Sequence, residues 1–291
     1  MEYHKPVLVK EVLYFLEPGP GKRYIDATLG DGGHAEAILR EGGEVLGIEQ
    51  DSKMLDRSRR RLLAYPNVFK GTTGNFSDIG EIASSARWSK VDGILFDLGF
   101  SSFQIEDPGY GLSFTHPGPL DMRLDPRLGV TAADLVNSLP ESELERLFIE
   151  VGQEKRGRSI ARAIVRKRII APIKTTSELA NLVEEVSPSH TQRGIHPATR
   201  VFMALRIAVN SELENLKEAL VQVPELLKKS GRLVVISFHS GEDRIVKTII
   251  REKEKMGIFK NLTTKPVRPS EEEVEENLRS RSSKLRAAER I

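Results

Sequence analysis

The sequence predicts an α/β fold in which a doubly wound parallel sheet carries an inserted all-helical domain. Short apolar segments alternate with segments of helical periodicity up to about residue 105, and helical patterns then dominate up to about residue 219. A strongly apolar segment returns at residue 231. Alternating strands and helices predict a parallel sheet with right-handed crossovers. We therefore expect a discontinuous sheet domain, residues 1–105 and 220–291, interrupted by an insert at residues 106–219.

Apolar spacing and turn residues define the elements of the sheet domain. A helix over residues 7–16 ends at Pro18-Gly19-Pro20-Gly21, because neither residue type continues a helix. The next elements are strand 23–27, a helix starting near His34, strand 44–48, helix 52–63, strand 67–70 and strand 91–96. Three of these strands are followed by, or end in, an acid: Asp26, Glu49 and Asp97. Ligands bind at the carboxyl ends of parallel strands, so these acids mark the expected site.

The middle of the chain has a different pattern. Residues 106–119 contain too much glycine and proline for a regular element and predict a long loop. Helices are expected at 131–137, 141–151, 159–168, 176–186 and 197–220. The sheet resumes with strand 231–238 and a helix at 243–255, and the end from residue 259 is mixed, with 271–276 an acidic, solvated run.

Composition excludes several classes of protein. The net charge of +2 excludes a globally basic nucleic-acid binder, so any such footprint must be a local patch. With no cysteine, the chain has no disulfide framework, thiolate zinc site or cysteine nucleophile. The six histidines lack metal-ligand spacing, so no metal is expected. The chain starts without a signal-peptide pattern and contains no long apolar run, so we expect a cytoplasmic protein with no membrane partner.

A glycine-rich turn at Gly30-Asp31-Gly32-Gly33-His34 follows the first strand. Together with Glu49 it loosely satisfies the fingerprint of a dinucleotide site. Asp26 and Asp31, however, would lie where a pyrophosphate binds, and like charges at short range repel. S-adenosylmethionine carries an ammonium and a sulfonium, so the two acids favour this cofactor over NAD. The alternative is an ordinary strand-to-helix turn in which Asp31 is a solvated or capping residue.

A second motif, Asp97-Leu98-Gly99-Phe100, follows the fourth strand. Methyltransferases that act on nucleobase amines place an acid or amide, two prolines and an aromatic residue at such a position. Here Asp97 and Phe100 fit, whereas Leu98 and Gly99 replace the prolines. Asp97 is suited to accept a hydrogen bond from a weakly nucleophilic amine, and Phe100 to stack on an unstacked base. The alternative is that Asp97 only binds cofactor and that Phe100 belongs to the core.

His239 lies at the end of the strand that should neighbour the fourth, where it could serve as a proton acceptor. In the alternative, Ser240 or Asp243 caps the next helix and His239 is structural. A Ser-His-Asp hydrolase is disfavoured, because the chain lacks a Gly-x-Ser-x-Gly turn.

A basic strip is predicted on one helix of the insert. Arg158, Arg162 and Arg166 are four residues apart and share one helical face, with Glu154 as the only nearby acid in the sequence. Guanidinium groups suit phosphates, so the strip is a candidate RNA-binding surface that Arg200 extends. A solvated helix face is the ordinary explanation of such a charge run.

Taken together, these motifs resemble one family, the bacterial small-subunit ribosomal RNA cytosine-N4 methyltransferases of the MraW type. The resemblance spans almost the whole chain and rests on the following segments: 26–34, 97–102, Gly118-Pro119-Leu120-Asp121-Met122-Arg123, His196-Pro197-Ala198-Thr199-Arg200, Ile236-Ser237-Phe238-His239-Ser240 and 281–286.

This resemblance implies a class I (Rossmann-like) sheet that binds S-adenosylmethionine and methylates the exocyclic N4 of a decoding-site cytosine in 16S ribosomal RNA. The partner is then 16S ribosomal RNA or the assembled small ribosomal subunit, and a homodimer is possible. By position, the family's cofactor contacts are Gly32, Gly33, His34, Glu49, Phe76, Asp97 and Gln104, beside the residue-based candidates Gly30 and Asp51. An NAD-dependent oxidoreductase and a noncatalytic RNA-binding assembly factor remain the alternatives.

Overall fold

The computed structural model describes residue 3, residues 5–188 and residues 196–291. Within these ranges the elements are, in chain order, α1 (Val9–Leu16), β1 (Arg23–Asp26), α2 (Gly33–Arg40), β2 (Glu44–Glu49), α3 (Ser52–Arg61), β3 (Phe69–Thr73), α4 (Ile79–Ser85), β4 (Val91–Asp97), α5 (Ser102–Glu106), α6 (Ala132–Ser138), α7 (Glu141–Arg146), α8 (Gly157–Ile170), α9 (Thr176–Val186), α10 (Ala198–Val209), α11 (Glu212–Leu226), β5 (Leu227–Ser237), α12 (Ser240–Lys255), β6 (Phe259–Asn261), α13 (Glu271–Glu276) and β7 (Lys284–Arg290).

The chain forms two compact units. The first comprises residues 1–101 and 213–291 and contains the sheet; the second comprises residues 102–212 and is helical. Each has its own apolar core, formed in the second unit around Phe148, Ile160 and Leu205. Residues 213–219 fall in the first unit, because Leu216 and Ala219 of α11 belong to the core of the sheet.

The doubly wound sheet is confirmed: the described residues form seven strands in the order β3-β2-β1-β4-β5-β7-β6. Strands β1 to β5 pair in parallel, and β1 is flanked by β2 and β4. The parallel pairing expected where strands alternate with helices holds for β1 to β5, whereas β7, which was not predicted, runs antiparallel to both β5 and β6. Central residues such as Ile94, Leu95 and Phe96 are fully buried, as expected of strands covered on both faces.

Several helices differ from the prediction. Helix α4 was not predicted, and residues 271–276, expected only as a solvated run, form α13. The single helix expected at 197–220 is two helices, α10 and α11, separated at Asn210 and Ser211. Ser211 has a positive φ of 49°. The Asn210 side chain donates to the Met122 carbonyl and accepts from the Leu124 N–H, so tertiary bonds stabilise this break. In the described part of the chain, no helix is both long and apolar enough to cross a membrane.

Candidate active site

Three acids end neighbouring strands of the sheet. Asp26, Glu49 and Asp97 are the last residues of β1, β2 and β4. Since β2 and β4 both pair in parallel with β1, these residues lie at the same edge of the sheet. Asp26 and Glu49 are buried, and the Asp97 side chain is 23% exposed. The strand ends thus bring these three acids together at one edge of the sheet, as predicted.

The glycine turn after β1 depends on backbone conformations that other residues avoid. Gly30 and Gly32 have φ of +51° and +78°. The Gly30 N–H donates to Oε2 of Glu49 at 2.8 Å, and the Asp51 N–H donates to Oε1 of Glu49 at 2.9 Å. Glu49 therefore ties the turn to the end of β2. On the side where a Cβ of Gly30 would lie, the nearest atom is the Thr28 carbonyl oxygen at 3.9 Å, which leaves room for a ligand.

Burial and neighbouring acids shift the pKa of the Glu49 carboxyl. Desolvation raises the pKa of its carboxyl to about 7, although the hydrogen bonds from Asp51 and Gly30 lower it, and the charges of Asp51 and Asp26 raise it further. Asp51 is instead the N-cap of α3, where its Oδ1 accepts the Lys53 N–H at 2.9 Å. Glu49 therefore remains the stronger candidate for a ribose-binding acid.

Asp31 does not contribute an uncompensated charge to the turn. Its Oδ1 lies 2.8 Å from Nε of Arg57 on α3, and both side chains are largely buried. The charge argument for a cationic ligand was therefore wrong in using Asp31. It now rests on Asp26, Glu49 and Asp97.

A buried histidine contacts one of these carboxylates and interacts with the charge of a second. Nε2 of His34, on α2, is 3.2 Å from Oδ2 of Asp97, an ion-pair contact rather than an aligned hydrogen bond. Burial lowers the pKa of His34, but the contact with Asp97 and the charges of Asp97 and Asp26 outweigh it, so the net pKa is raised. Desolvation raises the pKa of Asp26 to about 6 against the favourable charge of His34. Oδ1 of Asp97 is buried and has no hydrogen-bond partner in the described structure.

The predicted aromatic and amide residues have distinct environments. Phe76 follows β3 and packs edge-on against Phe96 with ring centroids 5.8 Å apart. Phe100 follows Asp97 closely and is half-buried. Gln104 is buried on α5 in the second unit.

His239 is the N-cap of α12. Its Nδ1 accepts from the backbone N–H groups of Gly241 and Glu242 at 3.1 and 3.4 Å, while the Glu242 carboxylate accepts the Phe238 and His239 N–H groups. Nε2 of His239 also lies 3.1 Å from the Glu242 carboxylate. The suggested role of proton acceptor is not supported by this arrangement, because the lone pair of Nδ1 caps the helix. The predicted caps Ser240 and Asp243 are also wrong: Ser240 is the first helical residue, and Asp243 pairs with Arg286.

Comparison with known proteins identifies the family. Residues 1–291 match the sequence profile of the MraW methylase family. The chain belongs to this family. It is 49% identical to "Ribosomal RNA small subunit methyltransferase H" of Thermomicrobium roseum, over 99% of this chain and 94% of the relative. It is 47% identical to the protein of the same name from Thermotoga neapolitana, over 99% and 96% of the two chains.

A solved structure shares the fold of this MraW methylase. It is described as a putative rRNA-methylase from Clostridium thermocellum and superposes with a TM-score of 0.50 at 13% identity, covering all of both chains. The MraW methylase uses S-adenosylmethionine as its methyl donor. An NAD-dependent oxidoreductase is thereby set aside.

The site of the MraW methylase fits this cofactor. The open space at Gly30 accommodates a ligand that approaches the backbone. The Asp97 side chain, 23% exposed, offers a carboxylate acceptor for an ammonium or amine hydrogen. Glu49, with one lone pair of each oxygen already used by the turn, retains acceptor capacity for ribose hydroxyls. The excess of buried carboxylates favours a cationic ligand.

Two features of the MraW methylase site were missed from the sequence. Thr28 Oγ1 accepts the Asp97 N–H at 2.6 Å and so links β1 to β4. Pro6, near the N-terminus, covers the glycine turn: its ring carbon Cγ lies 2.9 Å from the position that a Cβ of Gly33 would take. Tyr3 lies within cation–π distance of Arg57 and Arg61. The partners in these contacts are more than 20 residues apart in the sequence, so no local pattern indicates them.

The basic strip of the insert is partly neutralised. Arg158 and Arg162 lie 2.9 and 3.6 Å from Glu145 and Glu141 of α7, so Glu154 is not the only nearby acid. Arg166 is exposed and has no ion pair within the described residues. Arg200 is 3.8 Å from Glu154 and donates to the Gln153 carbonyl. The prediction of an uncompensated strip is therefore wrong for Arg158 and Arg162.

Proposed function

We propose that this MraW methylase transfers the methyl group of S-adenosylmethionine to the exocyclic N4 of a decoding-site cytosine in 16S ribosomal RNA. The observation that carries the proposal is the partly exposed carboxylate of Asp97, at the end of β4 and on the same edge of the sheet as the glycine turn. The names of the relatives, which specify the small ribosomal subunit, support the substrate class.

Several site residues have roles in this proposal. The backbone at Gly30, Gly32 and Gly33 holds the amino-acid part of the cofactor, Glu49 accepts from the ribose hydroxyls, and Phe76 lies beside the adenine. When bound, the cofactor supplies an electrophilic methyl group on sulfur. Asp97 accepts a hydrogen bond from the target amine, and Phe100 contacts the face of the base.

The contribution of the protein is chiefly positioning. With the donor bound, the N4 lone pair would form the new bond to the methyl carbon, and the donor would depart with the electron pair of its carbon–sulfur bond. One N4 proton then leaves to the Asp97 carboxylate and on to water. A methylated N4 cation is strongly acidic, so a weak base held at the right distance is sufficient. The partly exposed carboxylate of Asp97 is the candidate for this base.

Mass mapping of methylated nucleosides tests this function. Small subunits and naked 16S ribosomal RNA that lack the modification are incubated with the protein and labelled donor. We expect label on N4 of one cytosine, and its absence with Asp97→Ala although S-adenosylhomocysteine still binds. Label on carbon or ribose, or full activity of Asp97→Ala, would exclude the proposed chemistry. Absence of all transfer would favour a noncatalytic assembly factor.

The second unit is proposed to recognise RNA, in the cytoplasm where ribosomal subunits are made. Arg166 is the strongest candidate contact, because it is exposed and unpaired in the described structure. We expect Arg166→Gln to weaken RNA binding several-fold and to reduce its salt dependence, whereas Arg162→Gln, which also removes a pairing with Glu141, should have a smaller effect. Equal effects of the two variants would contradict this ranking. Sedimentation of the protein alone would test the possible homodimer.

A further inference from the structure

A group of cations surrounds one carboxylate where α12 packs against β7. Oδ1 of Asp243, in the first turn of α12, accepts from Nε of Arg286 at 2.6 Å, and its Oδ2 lies 3.8 Å from Nζ of Lys284. Lys247, one helical turn after Asp243, adds a third positive charge that acts on the same carboxylate. Burial raises the pKa of the Asp243 carboxyl, but its bond with Arg286 and the three positive charges outweigh burial, so the net pKa is lowered.

Arg286 alone compensates the charge of Asp243. Its guanidinium donates to both carboxylate oxygens, at 2.6 and 3.4 Å, and its side chain is 6% exposed. The charges of Lys284 and Lys247 are therefore additional to this pair. The Lys284 side chain is 20% exposed and Lys247 is partly exposed, so a ligand in solution can contact both. These cations come from two different elements, unlike the charge run of a solvated helix face.

The exposed Arg244 adds to the surplus of positive charge. Arg244 and Lys247 are three residues apart on α12 and therefore share one side of the helix. Within the described residues, neither has a carboxylate at ion-pair distance. The other acid of this turn, Glu242, is buried and accepts the Phe238 and His239 N–H groups. Four cations and two acids thus leave two positive charges uncompensated.

This group of cations lies at the same edge of the sheet as Asp97. Asp97 ends β4 and is aligned with Ile236 of β5. The next residue of β5, Ser237, is aligned with Lys284 of β7. Neighbouring strands are about 4.8 Å apart, so the Lys284 backbone lies about 10 Å from that of Asp97. Helix α12 begins shortly after β5 ends, so the positive end of its dipole is also at this edge.

We propose that Arg244, Lys247 and Lys284 bind backbone phosphates of the RNA strand that brings the target base to Asp97. The inference rests on the proposed function, and it assigns phosphate contacts to the first unit in addition to those proposed for the second. Every nucleotide carries a phosphate, so a strand whose base reaches this edge brings negative charge to it. The acids of the site repel that charge. The uncompensated cations beside them offset this repulsion while leaving the acids free to bind a cationic cofactor.

Binding of naked 16S ribosomal RNA in the presence of S-adenosylhomocysteine tests the proposal without methyl transfer. The test variant is Arg244→Gln/Lys247→Gln. The control, Arg251→Gln/Lys255→Gln, removes one arginine and one lysine from exposed positions centred about 11 Å further along α12. That end of α12 is directed to the opposite edge of the sheet, because β6, which follows it, begins beside Arg290 at the end of β7.

We expect the test variant to bind the RNA about tenfold more weakly at roughly 0.1 M salt. The slope of log K against log salt should fall by about 1.4, because each lost single-strand phosphate contact contributes about 0.7. The control should bind RNA like the unaltered protein, and both variants should retain their affinity for S-adenosylhomocysteine. Lys284→Gln, which leaves the pair of Asp243 and Arg286 in place, should cause a smaller loss in the same direction.

The outcomes separate this inference from the proposed function. Equal losses in the test and control variants, or an unchanged salt slope in the test variant, would overturn the inference alone. Failure of the unaltered protein to bind the RNA would contradict the proposed function itself, and with it this inference.

Discussion

Replacing Glu49 with Gln should remove the loss of stability that the free protein suffers between pH 5 and 8, while weakening its binding of the cofactor. The carboxyl is buried, and its pKa rises from an ordinary 4.5 to about 7. The folded protein therefore keeps this proton to higher pH than the unfolded chain does. The free energy of unfolding is highest below pH 4.5, falls as the pH rises to 7, and is then constant with respect to this group.

The size of the effect follows from the shift. Each pKa unit corresponds to about 1.4 kcal/mol, so the full loss from Glu49 is about 3 kcal/mol. The Gln side chain cannot ionise, so the variant does not undergo this loss of stability. At low pH the variant should be less stable by about 1–3 kcal/mol, because both side-chain oxygens of Glu49 accept a backbone N–H, from Gly30 and Asp51, and the amide NH2 of Gln cannot accept. This difference does not depend on pH. The variant should therefore gain about 3 kcal/mol over the wild type between pH 5 and 8.

Urea unfolding at half-unit intervals of pH measures this difference, with the exposed Glu252→Gln as control. Calorimetry with S-adenosylhomocysteine should show roughly tenfold to hundredfold weaker binding by Glu49→Gln, the value of a hydrogen bond to a charged group. A stability difference that does not change from pH 5 to 8 would refute the assigned electrostatics. Unchanged cofactor affinity would remove Glu49 from the ribose site.

Two further substitutions test the local structure. His239→Ala should lower the free energy of unfolding by about 1 kcal/mol through loss of the α12 cap, while the pH dependence of methyl transfer stays the same. A changed pH profile would show that His239 takes part in the reaction. Gly32→Ala should cost about 1–2 kcal/mol, because its φ is +78° and its Cβ would lie 3.1 Å from Leu62, whereas Gly19→Ala, with no atom within 4 Å, should be neutral. Equal unfolding midpoints for the two alanine variants would contradict this account.

The parts of the fold that the sequence predicted are those with a local signal. Strand β4 is an apolar run buried on both faces, and its end at Asp97 followed from the pattern alone. Strand β7 was missed because it contains charges at Lys284, Arg286 and Glu289 that resemble a surface segment. Arg286 is nevertheless buried and paired with Asp243, and Ala287 and Ala288 fill the sheet. A partner 43 positions away compensates that charge, which no local window detects.

In the candidate site, too, the features with a local sequence signal were predicted and those that depend on distant partners were not. Strand ends located Asp26, Glu49 and Asp97, since the edge of a parallel sheet follows from topology. The charges that these acids present to a ligand could not be derived in this way. Asp31 is paired with Arg57, 26 residues later, and Glu49 already holds two backbone N–H groups.

Charge runs are therefore informative about function only after pairing is known. On α8, Arg158 is paired with Glu145 of the preceding helix, 13 residues earlier. A helical wheel drawn for α8 alone gives Arg158 and Arg166 equal weight, because both are exposed on one face. Packing of α7 against α8 distinguishes them: a phosphate must displace a carboxylate at Arg158, but meets no such competitor at Arg166 within the described structure. Because an exposed ion pair contributes about 1 kcal/mol or less, that displacement is feasible, so the arginines should differ in degree rather than in kind.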